Sequence, residues 1–294
     1  MMDISIALGG GGSRGYAHIG VLRRLESEGF NVRAVAGASA GGIVAVAYAA
    51  GYTPDEMEAI FIKLDQTKLF ARSPDEGPGI LGLSRAARFF EDLFGDRTFA
   101  DLRIPCAVVA VDLKACQEVV LRQGRLVDAI LATIAVPGVF PPKQYGDAQL
   151  VDGAVLDPVP VSVARALAPG LPVVAVILDI ETEATSGFIS LPFPVPVPAQ
   201  LVERLTRTRI AQAFNIFLQS VDVSSRALAE MRLKADNPDV VIRPDVNGIG
   251  LLDRVDIKKI TRRGEDATGI VLPELQRAVA WPNRLKHRLS RLMA

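Results

Sequence analysis

The chain has 294 residues, 49% of them hydrophobic, with 33 basic and 33 acidic side chains and a formal net charge of zero. So much apolar sequence supports one large α/β domain, or a domain with a substantial C-terminal extension, and excludes a chain that is disordered throughout. Balanced charge leaves no global basic field to draw the protein to nucleic acid or to acidic lipid, so any membrane contact must be local.

The N-terminus runs from MMD straight into a strand-like segment, with no basic leader or cleavage site. Apolar runs such as Ile43 to Ala50 fall far short of the ~20 residues a spanning helix needs. A cytoplasmic protein is expected, soluble or peripheral at the inner membrane. Cys106 and Cys116 form neither a metal-ligand pattern nor a disulfide framework, and read as small buried or half-buried thiols.

Ile4 to Leu8 is a short strand, followed by the glycine-rich turn GGGGSRG (Gly9 to Gly15) and a helix in which His18, Val21, Leu22 and Leu25 recur at spacings of three and four, with Gly29 as terminator. Val32 to Ala36 is the second strand. Ser39 opens a second helix ending near Gly51, and Thr53, Pro54 and Glu56 supply cap, first turn and capping box for a third. Residues 66–100 lose regular spacing around SPDEGPGILGLS and then form the amphipathic RAARFFEDLF, an insertion expected over the sheet edge. Ile104 to Val111, Glu118 to Leu121 and Ala148 to Val151 are strand-like, Arg125 to Ala135 and Val159 to Leu167 helical, and Val173 to Leu178 a buried strand of parallel type. ISLPFPVPVPAQ, with four prolines between Leu191 and Ala199, suits neither a helix nor a central strand and reads as a linker or exposed loop. A helical region over about 200 to 234, a strand at Val240 to Ile242 and further helices follow. This alternation argues for a sheet with helices on both faces. The expected organisation is a domain over 1–182, a proline-rich link over 183–199, and a mostly helical region over 200–294 packed on the same domain.

Gly10, Gly12 and Gly15 match the dinucleotide-binding spacing, but the acidic residue that should close the second strand is missing, since that strand ends Ala34, Val35, Ala36 before Gly37. Tyr16 stands where a phosphate-binding loop needs lysine. The remaining use of such a turn is to aim backbone N–H groups at an anion, and Gly10, Gly11, Gly12 and Ser13 could cradle an oxyanion. A reacting partner follows in GASAG, where Ser39 lies between Gly37 and Gly41 at a strand-to-helix junction, the pattern of a nucleophile elbow.

An activated serine needs a base, and the chain has only two histidines. Ser39, Asp152 and His287 satisfy the chain order of an α/β-hydrolase triad. Against it, Ser39 lies on only the second strand and His287 sits in the basic segment WPNRLKHRLSRLMA; His18 falls on the apolar side of the first helix and reads as a hydrogen-bonded packing residue. That leaves a carboxylate, and Asp152 stands in LVDGAVLDP with Gly153 giving a sharp turn, although a lone Asp-Gly is usually a β-turn.

The ordered triple GGGGSRG, GASAG and DGA resembles the patatin-like phospholipase family, specifically its compact bacterial members, over about residues 4–180, with SRGYAHIGVLRRLE, TFADLRIP and AVPGVFPP sharing the likeness and VVIRPDVNGIGLLD continuing it. The resemblance implies a three-layer α/β/α sandwich with a mostly parallel central sheet. It also implies a Ser39–Asp152 dyad without catalytic histidine, an oxyanion hole from Gly10, Gly11, Gly12 and Ser13, and motif support from Arg14, Gly15, Gly37, Gly41 and Gly153. Neither metal nor cofactor is called for. The implied substrate is a lipid or other acyl ester, cleaved as by a phospholipase A or lysophospholipase; a carboxylesterase or thioesterase on the same dyad, and a non-catalytic lipid-binding protein, are the alternatives. An aspartate of pKa near ~3.9 is a poor base for a serine proton, so the site must shield it. Arg14 is expected to brace the turn or to meet a lipid phosphate. For peripheral membrane contact or a homo-oligomer three elements stand out: the proline-rich segment, the cluster Phe89, Phe90, Leu93 and Phe94, and a tail with Leu285, Leu289 and Leu292 on one face beside Arg284, Lys286, Arg288 and Arg291.

Overall fold

The computed structural model describes residues 2–73, 75–178 and 209–280. Its strands are β1 (Met2–Leu8), β2 (Phe30–Ala38), β3 (Cys106–Asp112), β4 (Gln117–Leu121), β5 (Lys143–Tyr145), β6 (Ala148–Asp152), β7 (Val173–Val176) and β8 (Val240–Ile242). They form one sheet in the order β5-β6-β3-β2-β1-β7-β8, with β4 also paired to β3. The run from β3 to β8 is parallel, and the pairings β3–β4, β3–β6 and β5–β6 are antiparallel. The hairpin strand β5 is an addition to the sequence reading. Its turn, Gly146-Asp147, uses a left-handed glycine with φ of 58°.

The helices are α1 (Ala17–Ser27), α2 (Ala40–Ala49), α3 (Pro54–Lys63), α4 (Gln66–Leu69), α5 (Ser84–Phe94), α6 (Leu126–Thr133), α7 (Val161–Leu167), α8 (Arg209–Asp236), α9 (Ile257–Ile270) and α10 (Leu272–Ala278). Alternate strand residues serve two cores. Ile4, Ile6, Leu8, Val35, Val108 and Val176 pack with apolar residues of α1, α2, α6 and α9. Ala7, Ala36, Ala38, Ala107 and Ala175 face the other way, where these small side chains let α7 approach and Ala229 and Leu233 of α8 close the layer. Ser5 on that face donates to the Ala164 carbonyl of α7 at 2.7 Å. The result is a three-layer α/β/α sandwich. Thr53 forms the expected capping box with Glu56.

Two expectations need correction. Phe90 and Phe94 on α5 are 1% and 2% exposed, and Phe89 and Leu93 pack against the same core. Phe90 and Phe94 are therefore interior, and Phe89 and Leu93 are half-buried, so the four pack chiefly on the body of the protein rather than standing out as an exposed patch. Cys106 is buried, where desolvation pushes its thiol pKa up, but Cys116 is exposed in the β3–β4 turn rather than half-buried. The proline-rich segment, His287 and the basic tail lie outside the described residues. Among the described residues, no helix is long and apolar enough to cross a membrane.

Candidate active site

Strand pairing explains how Ser39 and Asp152, 113 positions apart, become neighbours. Val108 and Val109 of β3 pair with both β2 and β4, and Ala110 to Asp112 pair with both β4 and β6. A strand has two edges, so β2 and β6 must share the edge opposite β4. β2 ends along it at Ala38, opposite Val109, and β6 arrives from the other direction to end at Asp152, opposite Ala110. The two strand ends meet head-on. The residue after one is Ser39; the last residue of the other is Asp152.

Ser39 sits at φ 52° and ψ −124°, a backbone state that a side chain rarely adopts. The elbow is tight enough to demand its flanking glycines. A Cβ on Gly37 would come within 2.4 Å of the Gly41 carbonyl oxygen, and one on Gly41 within 2.2 Å of that of Leu8. Thr133, at the end of α6, holds the elbow down: its Oγ1 accepts the Ser39 N–H at 2.9 Å and donates to the Val109 carbonyl at 2.6 Å. Ser39 Oγ donates to Asp152 Oδ2 at 2.5 Å, while Asp152 Oδ1 accepts the Ala154 N–H at 2.8 Å. Gly153, between them, packs against the Val109 carbonyl. Asp152 is 3% exposed, and burial pushes its carboxyl up to about 7 despite the two hydrogen bonds that favour the ionised form. Burial thus gives this carboxyl a shielding that an ordinary surface aspartate lacks.

The glycine turn passes beside Ser39, close enough that a Cβ on Gly10 would lie 3.3 Å from the serine Cβ. Its four expected donors are not equivalent. The Gly10 N–H donates to the Pro158 carbonyl at 3.0 Å and the Ser13 N–H to that of Leu251 at 2.8 Å. Gly11 and Gly12 keep amides with no acceptor among the described residues. Gly12 has φ of 56°, and a Cβ there would lie 2.0 Å from the Leu251 oxygen. Arg14 is 4% exposed; its Nε donates to the Ile249 carbonyl at 2.8 Å and its Nη1 pairs with Asp222 Oδ1 at 3.2 Å. It braces the turn. Gly15 packs against Ala40 at the start of α2. His18 is fully buried, and its Nε2–H donates to the Gly9 carbonyl at 2.8 Å. Burial pulls its pKa down to about 4, so it is neutral and structural.

Ser39, Asp152 and the turn open into a cavity of about 900 Å³. Phe61, Phe70, Phe90, Phe140, Leu178, Leu218 and Val221 are among the residues that line it. No group of three or more histidine, cysteine or acidic side chains among the described residues could hold a metal ion. Sequence reasoning missed Thr133, Asp222, Ile249 and Leu251 as contributors. The only signals were position: Thr133 precedes AVPGVFPP, and Ile249 and Leu251 lie in NGIGLLD, both already marked by the resemblance.

This sheet, with a serine elbow and an aspartate at adjoining strand ends beneath a glycine turn, is a patatin-type α/β architecture. The patatin-like phospholipase model matches residues 6–165. An uncharacterized NTE family protein of Mycobacterium tuberculosis is 38% identical over 162 residues, 54% of this chain and 44% of the relative. A second from that organism is 29% identical over 287 residues, covering 94% and 48%. Among solved structures, VipD from Legionella pneumophila shares the fold at a TM-score of 0.52 with 11% identity, covering 94% of this chain and 66% of that one. The chain belongs to the patatin-like phospholipase family. It spans less than half the length of these two mycobacterial relatives.

Proposed function

We propose that the protein is a serine acyl hydrolase that cleaves ester bonds of lipids, in the manner of a phospholipase A or lysophospholipase, with Ser39 as nucleophile and Asp152 as base. The observation that carries the reading is the 2.5 Å hydrogen bond from Ser39 Oγ to a buried Asp152 whose carboxyl is raised to about 7. A base of that strength suits catalysis near neutral pH. Family membership and the largely apolar cavity at the serine support an acyl chain as the bound group.

In the proposed reaction Asp152 takes the Ser39 proton as Oγ adds to the ester carbonyl. The tetrahedral oxyanion rests on backbone amides of the glycine turn, for which Gly11 and Gly12 are the available donors. Collapse breaks the ester C–O bond, and Asp152 returns its proton to the departing alcohol oxygen. Water, deprotonated by Asp152, then adds to the acyl-serine; collapse breaks the acyl–Oγ bond, Asp152 returns the proton to Ser39 Oγ, and the acid leaves. No metal or cofactor enters this chemistry, and the substrate side is a lipid surface approached by a cytoplasmic, peripheral protein.

The test is an activity panel across phospholipids, monoacyl esters and acyl thioesters, run on wild type, Ser39→Ala, Asp152→Asn and His287→Ala. The expected result is lipid ester cleavage that Ser39→Ala and Asp152→Asn abolish and His287→Ala largely keeps, with Ser39 labelled by a fluorophosphonate probe. Loss of activity by orders of magnitude in folded His287→Ala would restore a histidine triad. A folded wild type that is not labelled and cleaves nothing would leave lipid binding without turnover.

A further inference from the structure

The glycine turn is held by parts of the chain far from it in sequence. Arg14 reaches the Ile249 carbonyl and Asp222 of α8, and Asp222 is also gripped through its other oxygen by Arg226, one helical turn on. Ser13 is tied to Leu251, whose carbonyl packs against Gly12. All of these anchors lie beyond residue 165, where the family match ends.

The Asp222 carboxylate has a specific task in this clamp. A guanidinium stays charged at any working pH, and Arg14 is buried, so it needs a compensating charge close by. Asp222 supplies such a charge at 3.2 Å, and removing it loosens the hold on the guanidinium. The backbone N–H of Arg14 donates to the Gly11 carbonyl at 3.2 Å, and that carbonyl shares one peptide plane with the Gly12 N–H, so the plane carrying the Gly12 amide is tied to Arg14.

We infer that Asp222 is a positioning residue: acting through Arg14, it fixes the orientation of the Gly12 amide in the turn that passes beside Ser39. Oxyanion donors work only when they lie about 2.7–3.1 Å from the forming oxyanion. A small rotation of the turn therefore lowers kcat and leaves substrate binding in the cavity, and hence KM, nearly unchanged. The kinetic half of the inference rests on the ester-hydrolase reading; the structural half does not.

The experiment compares Asp222→Asn, which keeps size and removes charge, with Asp222→Glu and with Glu230→Gln. Glu230 also lies on α8, but its partner is Arg243 (2.7 Å), away from the turn. Two readouts are taken: hydrogen exchange of the Gly10, Ser13 and Arg14 amides, all hydrogen-bonded in the fold, and kcat and KM on a short soluble ester. Asp222→Asn is expected to speed exchange at these amides about tenfold or more. Its kcat should fall about 10- to 100-fold with KM held within about threefold, and Asp222→Glu should recover much of the loss. Glu230→Gln should match wild type in both. In a double-mutant cycle, adding Asp222→Asn to Arg14→Ala should cost almost nothing further, because Arg14 already carries the effect. Unchanged exchange in Asp222→Asn, an equal loss in Glu230→Gln, or additive losses in the cycle would each overturn the inference. If Asp222→Asn does not fold, the milder Asp222→Glu decides, by whether its loss is confined to kcat and the turn amides. A wild type that hydrolyses no ester would sink the proposed function, and the exchange data would still decide the role of Asp222.

Discussion

Asp152→Asn separates the stability of the site from its proposed chemistry. In wild type the carboxyl is raised from its ordinary 3.8 to about 7 by burial. The folded value lies above the unfolded one, so on raising the pH the unfolded chain gives up this proton first. The contribution of Asp152 to stability is therefore complete below about 3.8, declines as pH rises, and is lost above about 7. Each pH unit inside that window is worth up to about 1.4 kcal/mol, so its full width costs wild type about 4 kcal/mol. Asparagine has the same shape, keeps an oxygen for the Ala154 N–H, can donate to Ser39 Oγ, and does not ionise. The two proteins should thus unfold with nearly equal free energy at about pH 4, and the variant should be more stable by about 4 kcal/mol at about pH 8. Asp157, also buried and raised to about 7, is common to both and cancels in the difference. Urea titrations across that range measure the gap. A gap independent of pH, or a variant less stable than wild type at the alkaline end, refutes the account of Asp152 as a carboxylate ionised against the preference of its surroundings. On the proposed mechanism the stabilised variant is also inactive.

The same ionisation sets a pH profile: kcat/KM on a soluble ester should climb with pH and level off above about 7, since the ionised carboxylate is the working form. A flat profile on both sides of that value would count against Asp152 as base. Thr133→Val leaves the Ser39 N–H without its acceptor and the Val109 carbonyl without its donor. A loss of about 1–3 kcal/mol in denaturant titration is expected, with Thr133→Ser near wild type. Phe90→Ala removes a fully buried ring that also lines the cavity. Thermal or denaturant unfolding should show a loss of about 3–5 kcal/mol, and hydrolysis of a graded ester series should shift toward longer chains; an unchanged chain-length profile would separate the Phe90 wall from the acyl site.

Much of this architecture was readable because the local chemistry of each turn is unusual. Ser39 adopts a positive φ at a strand-to-helix junction, and Gly37 and Gly41 are required where other backbone passes within a Cβ radius, so GASAG carries its geometry in its composition. The helix starts and the continuous apolar strands were equally plain, since caps and burial on both faces act within a few residues. What could not be read depends on pairings between distant segments. Nothing local tells that β6 runs antiparallel into the edge β2 vacates, yet that pairing alone brings Asp152 to Ser39. Four glycine-turn amides look alike in sequence, and only the carbonyls of Pro158 and Leu251 decide that two of them are spent. The α5 phenylalanines failed for a related reason. An amphipathic helix has the same pattern whether its apolar face meets lipid or protein, and the choice is made by the surface opposite, here Phe61 and the rest of the core. The residues that strain or crowd the backbone at the serine were therefore visible in advance. Those that hold the strain in place, Thr133, Asp222 and Leu251, are common residue types whose only distinguishing mark is the partner they reach.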